Sequence, residues 1–243
     1  MSTRDSDTAA EQRAAIERMF SAIVPRYDLL NRLLSAGRDR AWRRAAIRAA
    51  GLVPAGWLLD ICTGTADMPL EAARQSSAIR IAGVDFSPPM IAAGRAKVAR
   101  ADLRARIALQ VAVAEALPFA DGAFDAVTVA FGLRNLPDRR QGLREMLRVL
   151  RPGGRAVILE FTTPPSPIVL GLYRWYFRRV LSPLGRLVSG HRFAYEYLPA
   201  SVADFPPPAG VTAWMEEVGF EDVSCRLMTC GIVAIHVGAK RSG

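Results

Sequence analysis

Apolar residues recur along the chain with two different periods, and the period changes near residue 50. From Arg13 to Ala50 the spacing is helical: Ile16, Met19, Phe20 and Ile23, then Leu29, Leu30, Leu33 and Leu34. Pro25 interrupts the run, so two or three helices are expected, and Gly51 and Pro54 end the block. Residues 1–12 are polar and charged and predict a disordered tail.

Short apolar runs then alternate with amphipathic ones. Strands are expected at Trp57–Cys62, Arg80–Asp85, Ile107–Val113, Phe124–Ala130 and Arg155–Phe161. Helices are expected at Asp67–Gln75, Pro88–Arg100 and Asp138–Leu150. This order implies βαβ units and a doubly wound, mostly parallel α/β sheet. Ile168–Leu187 mixes Tyr173, Trp175, Tyr176 and Phe177 with arginines, which predicts an amphipathic helical insertion. A helix at Val211–Val218 and strands at Asp222–Thr229 and Ile232–Val237 should close the sheet with an antiparallel pair. One domain is expected over residues 13–243: N-terminal helices at 13–53, a ligand-binding core at 54–162, a lid at 163–210, and a last helix with strands at 211–243.

No apolar run approaches the roughly 20 residues of a membrane-spanning helix. The N-terminus, with Arg4, Asp5, Asp7 and Glu11, has no secretory pattern, so a cytoplasmic protein is expected. The three cysteines (Cys62, Cys225 and Cys230) match no zinc spacing and read as reduced thiols, with no metal site. The net charge of +9 suits an anionic partner, either nucleic acid or an anionic membrane face. No RNA-binding module accompanies it, so no nucleic-acid partner is expected.

The chemistry lies at the strand ends. The first strand runs into Asp60-Ile61-Cys62-Thr63-Gly64-Thr65-Ala66-Asp67. Ligands of open α/β sheets sit beyond the carboxyl ends of the strands. Gly64 lets a ligand approach the backbone, and Thr63 and Thr65 supply hydroxyl and N–H groups. The second strand ends at Asp85-Phe86, where a carboxylate can accept from both ribose hydroxyls of a nucleoside. A dinucleotide site wants G-x-G-x-x-G under its pyrophosphate, whereas here Gly64 stands alone. S-adenosylmethionine has no pyrophosphate and needs less bare backbone. Asp60 or Asp67 could hold the ammonium of its amino acid tail. Glu115-Ala116-Leu117-Pro118-Phe119 follows the third strand, where an adenine would be flanked. Phe131-Gly132-Leu133-Arg134-Asn135 follows the fourth, and its polar pair is hard to explain as core.

Together these segments resemble the menaquinone/ubiquinone biosynthesis C-methyltransferase family, over nearly the whole chain from Met19 to Lys240. Phe20-Ser21-Ala22-Ile23, Arg26-Tyr27-Asp28-Leu29-Leu30-Asn31 and Trp42-Arg43 resemble its N-terminal motif, and Asp60 to Asp67 its cofactor turn. Phe131 to Asn135, Arg148 to Gly154, Leu159-Glu160-Phe161, Tyr195 to Leu198, Phe205-Pro206 and Gly231 to His236 follow in family order. The resemblance implies a Rossmann-like class I methyltransferase sheet with an antiparallel C-terminal strand, N-terminal helices and a helical lid. It implies methyl transfer from S-adenosyl-L-methionine to a ring carbon of a prenylated quinol.

By the same resemblance, cofactor contacts fall at Thr65, Asp85, Val113, Ala114 and Ala130, and the strand-end segments add Asp60, Thr63, Gly64, Phe86 and Glu115 to the expected cofactor set. Arg134, Asn135 and Tyr27 would be catalytic, and Phe20, Tyr27, Phe131, Arg134 and Tyr195 would bind the substrate. Ala66, Val113 and Ala130 depart from the glycine, polar residue and serine usual in the family. An arginine is a poor literal base, its pKa exceeding about 12. Arg134 is therefore read as the stabiliser of a ring oxyanion, with water, Tyr27, Asp28 or His236 in the proton path. His236 otherwise reads as a core histidine. Peripheral contact with an anionic membrane, and a homodimer, stay open. So do two other functions: a different small-molecule methyltransferase, and a catalytically silent cofactor-binding scaffold.

Overall fold

The computed structural model describes residues 24–176, residue 179 and residues 200–242. Two short helices come first: α1 (Tyr27–Leu34) and α2 (Asp39–Ala49). The alternating core follows as β1 (Trp57–Ile61), α3 (Asp67–Gln75), β2 (Arg80–Asp85), α4 (Pro88–Arg100), β3 (Ile107–Val111), β4 (Phe124–Ala130), α5 (Arg139–Val149) and β5 (Leu150–Phe161). Helix α6 (Pro167–Tyr176) begins the expected insertion. The chain closes with α7 (Pro208–Val218), β6 (Glu221–Met228) and β7 (Val233–Ala239). The sequence pattern for residues 13–23, the rest of the insertion, Phe20 and Tyr195 lie outside the described residues.

The seven strands form one sheet in the order β3-β2-β1-β4-β5-β7-β6. All pair in parallel except β7, which is antiparallel to both β5 and β6. Strand order reverses between β1 and β4, which places the ligand crevice at their carboxyl ends.

Period-two burial divides the core into two layers. Leu58, Ile81, Ala126 and Val157 point to one face, under α2, α3 and α4. Their neighbours Leu59, Ala82, Val127 and Ile158 point to the other, under α5 and α7. Both faces of the sheet are therefore covered, as its continuous apolar strands require. Asp138 caps α5, accepting from the Gln141 N–H at 2.9 Å. Helix α7 stops at Gly219, whose φ of 106° is open to glycine. Strand β5 begins five residues earlier than the pattern predicts, at Leu150. Its pairing with β4 slips between Phe124 and Ala126, so the chain enters the strand through an irregularity that Pro152-Gly153-Gly154 disguises as a turn.

Candidate active site

The loop after β1 is wound unusually tightly. Cys62, Gly64 and Ala66 all have left-handed backbone, with φ of 55°, 53° and 68°. For the two non-glycine residues this costs about 1–2 kcal/mol each, and strain of this kind gathers at ligand sites. The winding turns the Gly64 N–H onto Asp85 Oδ2 at 2.9 Å, while the Ser87 N–H donates to Asp85 Oδ1 at 2.9 Å. Burial raises the Asp85 carboxyl above its usual range, and these two backbone donors oppose the rise. Across the loop Gly132 packs so closely that a β-carbon on it would come within 2.4 Å of Cys62 Cβ. The ends of β1 and β4 can meet only because residue 132 has no side chain.

A narrow cleft opens over these strand ends. Cys62, Asp85, Phe86, Val113, Ala114, Glu115 and Asn135 line it. The loop after β3 that forms one wall is pinned from α5. Arg148 donates to the Phe119 carbonyl at 2.7 Å and the Leu117 carbonyl at 3.0 Å, and Glu145 accepts from the Leu117 N–H at 2.7 Å. Arg148 pairs with Glu145 at 2.7 Å, so the clamp carries its own countercharge.

Asp60 lies beneath the cleft, 1 % exposed, with the Thr128 hydroxyl donating to it at 2.6 Å. Burial, against that hydrogen bond, pushes its carboxyl up to about 7. Asp67 faces outward instead, bonded to Lys97 and 3.6 Å from Arg43. Lys97 also holds Asp28 at 2.8 Å, and Asp28 accepts from the Thr65 hydroxyl at 2.7 Å. Burial alone would raise Asp28, but the hydrogen bonds from Lys97 and Thr65 outweigh it and hold its carboxyl below the usual range. Helix α1 is thus fastened to the turn by a charged knot.

That fastening brings Tyr27 over the turn: a β-carbon on Gly64 would stand 3.8 Å from its Cε1. The phenol is raised by burial, against the pull of Asn31, Arg43 and Arg134, so it stays protonated near neutrality. Arg134 is 7 % exposed, and its Nη1 donates to Glu160 at 2.6 Å and to the Phe131 carbonyl at 2.6 Å. Its Nε reaches Ser201 at 3.3 Å, and its plane lies 5.6 Å over the Phe161 ring. Asn135, next in sequence, donates to the same Phe131 carbonyl at 3.4 Å and lines the cleft.

The structure therefore gathers most of the expected residues into two adjoining regions. Asp85, Phe86, Val113, Ala114, Glu115 and Asn135 share the cleft, with Asp60, Thr63, Gly64 and Thr65 at its base and rim. Tyr27, Phe131 and Arg134 form the second region. Ala130 ends β4, partly buried against the core. His236 is a core residue of β7, hydrogen-bonded to the Pro208 carbonyl at 3.1 Å, and its imidazole is lowered by burial. Sequence reasoning assigned no role to Glu160 or Lys97. Each becomes meaningful only once the fold places it beside Arg134 or Asp28.

The ubiE/COQ5 methyltransferase family matches residues 7–240. The chain belongs to this family. Its curated relatives include the ubiquinone/menaquinone biosynthesis C-methyltransferase UbiE of Geobacter sulfurreducens, 52% identical over 95% of this chain and 90% of the relative. The demethylmenaquinone methyltransferase of Thermus thermophilus is 50% identical over 91% of this chain and all of that one. Among solved structures the cyclase SpnF superposes with a TM-score of 0.72 at 18% identity, covering 94% of this chain and 96% of that chain. That likeness shows the fold alone. Family membership makes the chain an S-adenosylmethionine-dependent methyltransferase with the class I sheet.

Proposed function

We propose that the chain transfers a methyl group from S-adenosyl-L-methionine to a ring carbon of a prenylated quinol, as a step of quinone biosynthesis. The observation that carries this reading is the pairing of a nucleoside cleft, built on Asp85, with a buried and charge-balanced Arg134 beside it.

The cleft fits the cofactor. Asp85 is oriented by two backbone N–H groups, and each oxygen keeps a second lone pair for a ribose hydroxyl. The Val113–Glu115 loop would flank the adenine, Asn135 lines the cleft beyond the end of β4, and Thr63, Gly64, Thr65 and Asp60 would hold the amino acid tail. When bound, the cofactor supplies a sulfonium methyl group that is already electrophilic.

The protein's task is to align the ring, exclude water and enrich the attacking carbon with electrons. A ring hydroxyl ortho or para to that carbon does so when it loses its proton. Arg134 keeps its charge and stabilises the oxyanion as it forms. Glu160 holds the guanidinium in place and balances its charge before the substrate arrives. Tyr27, protonated, orients the ring against the turn and the hydroxyl proton leaves to water. After transfer the methylated carbon gives up its ring hydrogen as a proton, which restores the aromatic ring, and the oxyanion is protonated again.

Peripheral contact with an anionic membrane belongs to the same reading. Among the described residues no helix is long and apolar enough to cross a membrane. Ile168, Leu172 and Trp175 form an exposed apolar row on α6, at the spacing of one helical face. With a positive net charge, such a row suits the interface where a prenyl quinol resides.

The test is radiolabelled methyl transfer from S-adenosylmethionine to reduced demethylmenaquinol and, separately, to the demethylated ubiquinol precursor. Label in the quinone fraction supports the reading and names the better ring. Cofactor binding without label in either product overturns it in favour of a different acceptor or the silent scaffold.

A further inference from the structure

Resting on the reading above, we propose that the apolar groove between α1, α2 and α6 receives the isoprenoid tail of the quinol. The groove has a volume of about 320 Å³, and Leu34, Trp42, Val169, Leu172, Trp175 and Ile232 are prominent in its walls. That lies in the size range of small-molecule sites, roughly 300–1,000 Å³. Its walls are held by specific bonds rather than by packing alone. The Tyr176 hydroxyl donates to the Leu33 carbonyl at 2.9 Å and closes α6 onto α1. The Trp42 indole N–H donates to Thr229 at 2.8 Å and fixes the ring that forms the inner wall.

Continuity with the active site identifies the occupant. Trp42 belongs to both places: its ring stands 6.2 Å from Phe131 and 6.1 Å from Phe161, and Phe161 lies under Arg134. Tyr173, another wall residue, lies within the electrostatic influence of Arg134. A wall of packed aromatic rings, Phe161, Phe131 and Trp42, therefore runs from Arg134 to the groove, and a ring held at Arg134 would direct its tail along that wall. The other end opens beside Leu172 and Trp175, which are 65% and 55% exposed, so a long tail can run out through it. A polar occupant would find little to bond. A branched polyene matches both the aromatic walls and the open mouth.

The experiment uses the full chain and three reduced quinols in one detergent, with the same ring and no tail, a two-isoprene tail or a four-isoprene tail. Wild type should show KM falling by about ten-fold or more from the tailless to the two-isoprene substrate, since each buried methylene favours binding by about four-fold. The gain should then level off, because the outer tail leaves the groove. Leu172→Asp, at an exposed wall position, should return the long-tail KM towards the tailless value and leave kcat and the tailless KM unchanged. Val169→Trp, filling the groove, should do the same. No tail dependence in wild type, or an equal effect of both variants on tailless and tailed substrates, would overturn the proposal. A diazirine-tailed quinone analogue reads the groove without turnover. Crosslinks within 34–42 or 169–176 support it even if no substrate is methylated, whereas crosslinks confined elsewhere overturn it.

Discussion

The Arg134 guanidinium and the Glu160 carboxylate meet at 2.6 Å, and both side chains are almost fully buried. Glu160 also accepts the Arg134 backbone N–H at 3.2 Å and its neighbour Phe161's N–H at 2.9 Å, so the carboxylate is fixed before it fixes the arginine. A charge held in this way cannot serve as a base, but it can meet a developing oxyanion without reorganising.

Removing one partner should expose that division of labour. Glu160→Ala strands a buried cation and should lower stability by about 3–5 kcal/mol, measured by denaturant unfolding. Arg134→Ala should lower kcat by about 10²–10³-fold, the usual cost of losing one oxyanion donor. Near-full turnover by Arg134→Lys would contradict the role given to the fork-shaped guanidinium.

The knot of Asp28, Lys97 and Thr65 should matter for the cofactor more than for the ring chemistry. Asp28→Asn should weaken cofactor binding by about two- to five-fold, since a half-exposed ion pair contributes about 0.5–1 kcal/mol. Calorimetry checks the affinity, and limited proteolysis should show α1 more readily cut. An unchanged affinity would mean that α1 covers the turn without help from the knot.

Asp60 predicts a pH dependence. Its carboxyl stands at about 7 in the folded protein against 3.8 for the free group. The folded state therefore holds a proton that the unfolded state loses near pH 4. Stability from this group is full below the unfolded value and is lost as pH rises through about 7. A cofactor ammonium favours the ionised form, so affinity should rise with pH over the same window and binding near pH 6.5 should release protons. Calorimetry in buffers of different ionisation enthalpy measures that release, which Asp60→Asn should abolish.

Arg148 clamps the loop after β3 from 29 and 31 residues away. Arg148→Ala should cost about 1–3 kcal/mol of stability and raise the cofactor Kd while leaving kcat at saturation largely intact. A fall in kcat with unchanged Kd would assign Arg148 to the chemistry instead.

The strands and their ends were legible because facing alternates at Leu58/Leu59, Ile81/Ala82, Ala126/Val127 and Val157/Ile158, and because Asp85 ends one apolar run and Arg134-Asn135 follow another. Helices α3 and α4 have the bounds that their spacing predicts. The pairs that make the site work were not legible. Arg134 and Glu160 are 26 residues apart on neighbouring elements, and Asp28 and Lys97 are 69 apart. No local period records such a meeting. The left-handed backbone at Cys62 and Ala66 was hidden for a different reason. Neither residue type advertises a positive φ, which here follows from the demand that Gly64 reach Asp85.

The most direct test is where the methyl group goes. The enzyme should be given labelled S-adenosylmethionine and a reduced demethylquinol, and the product re-oxidised and examined by mass spectrometry and NMR. Ring-carbon transfer predicts a labelled product that still oxidises to the quinone, with the ring proton lost. A labelled product that no longer oxidises, its hydroxyl blocked as a methyl ether, would contradict the account and move the chemistry to oxygen.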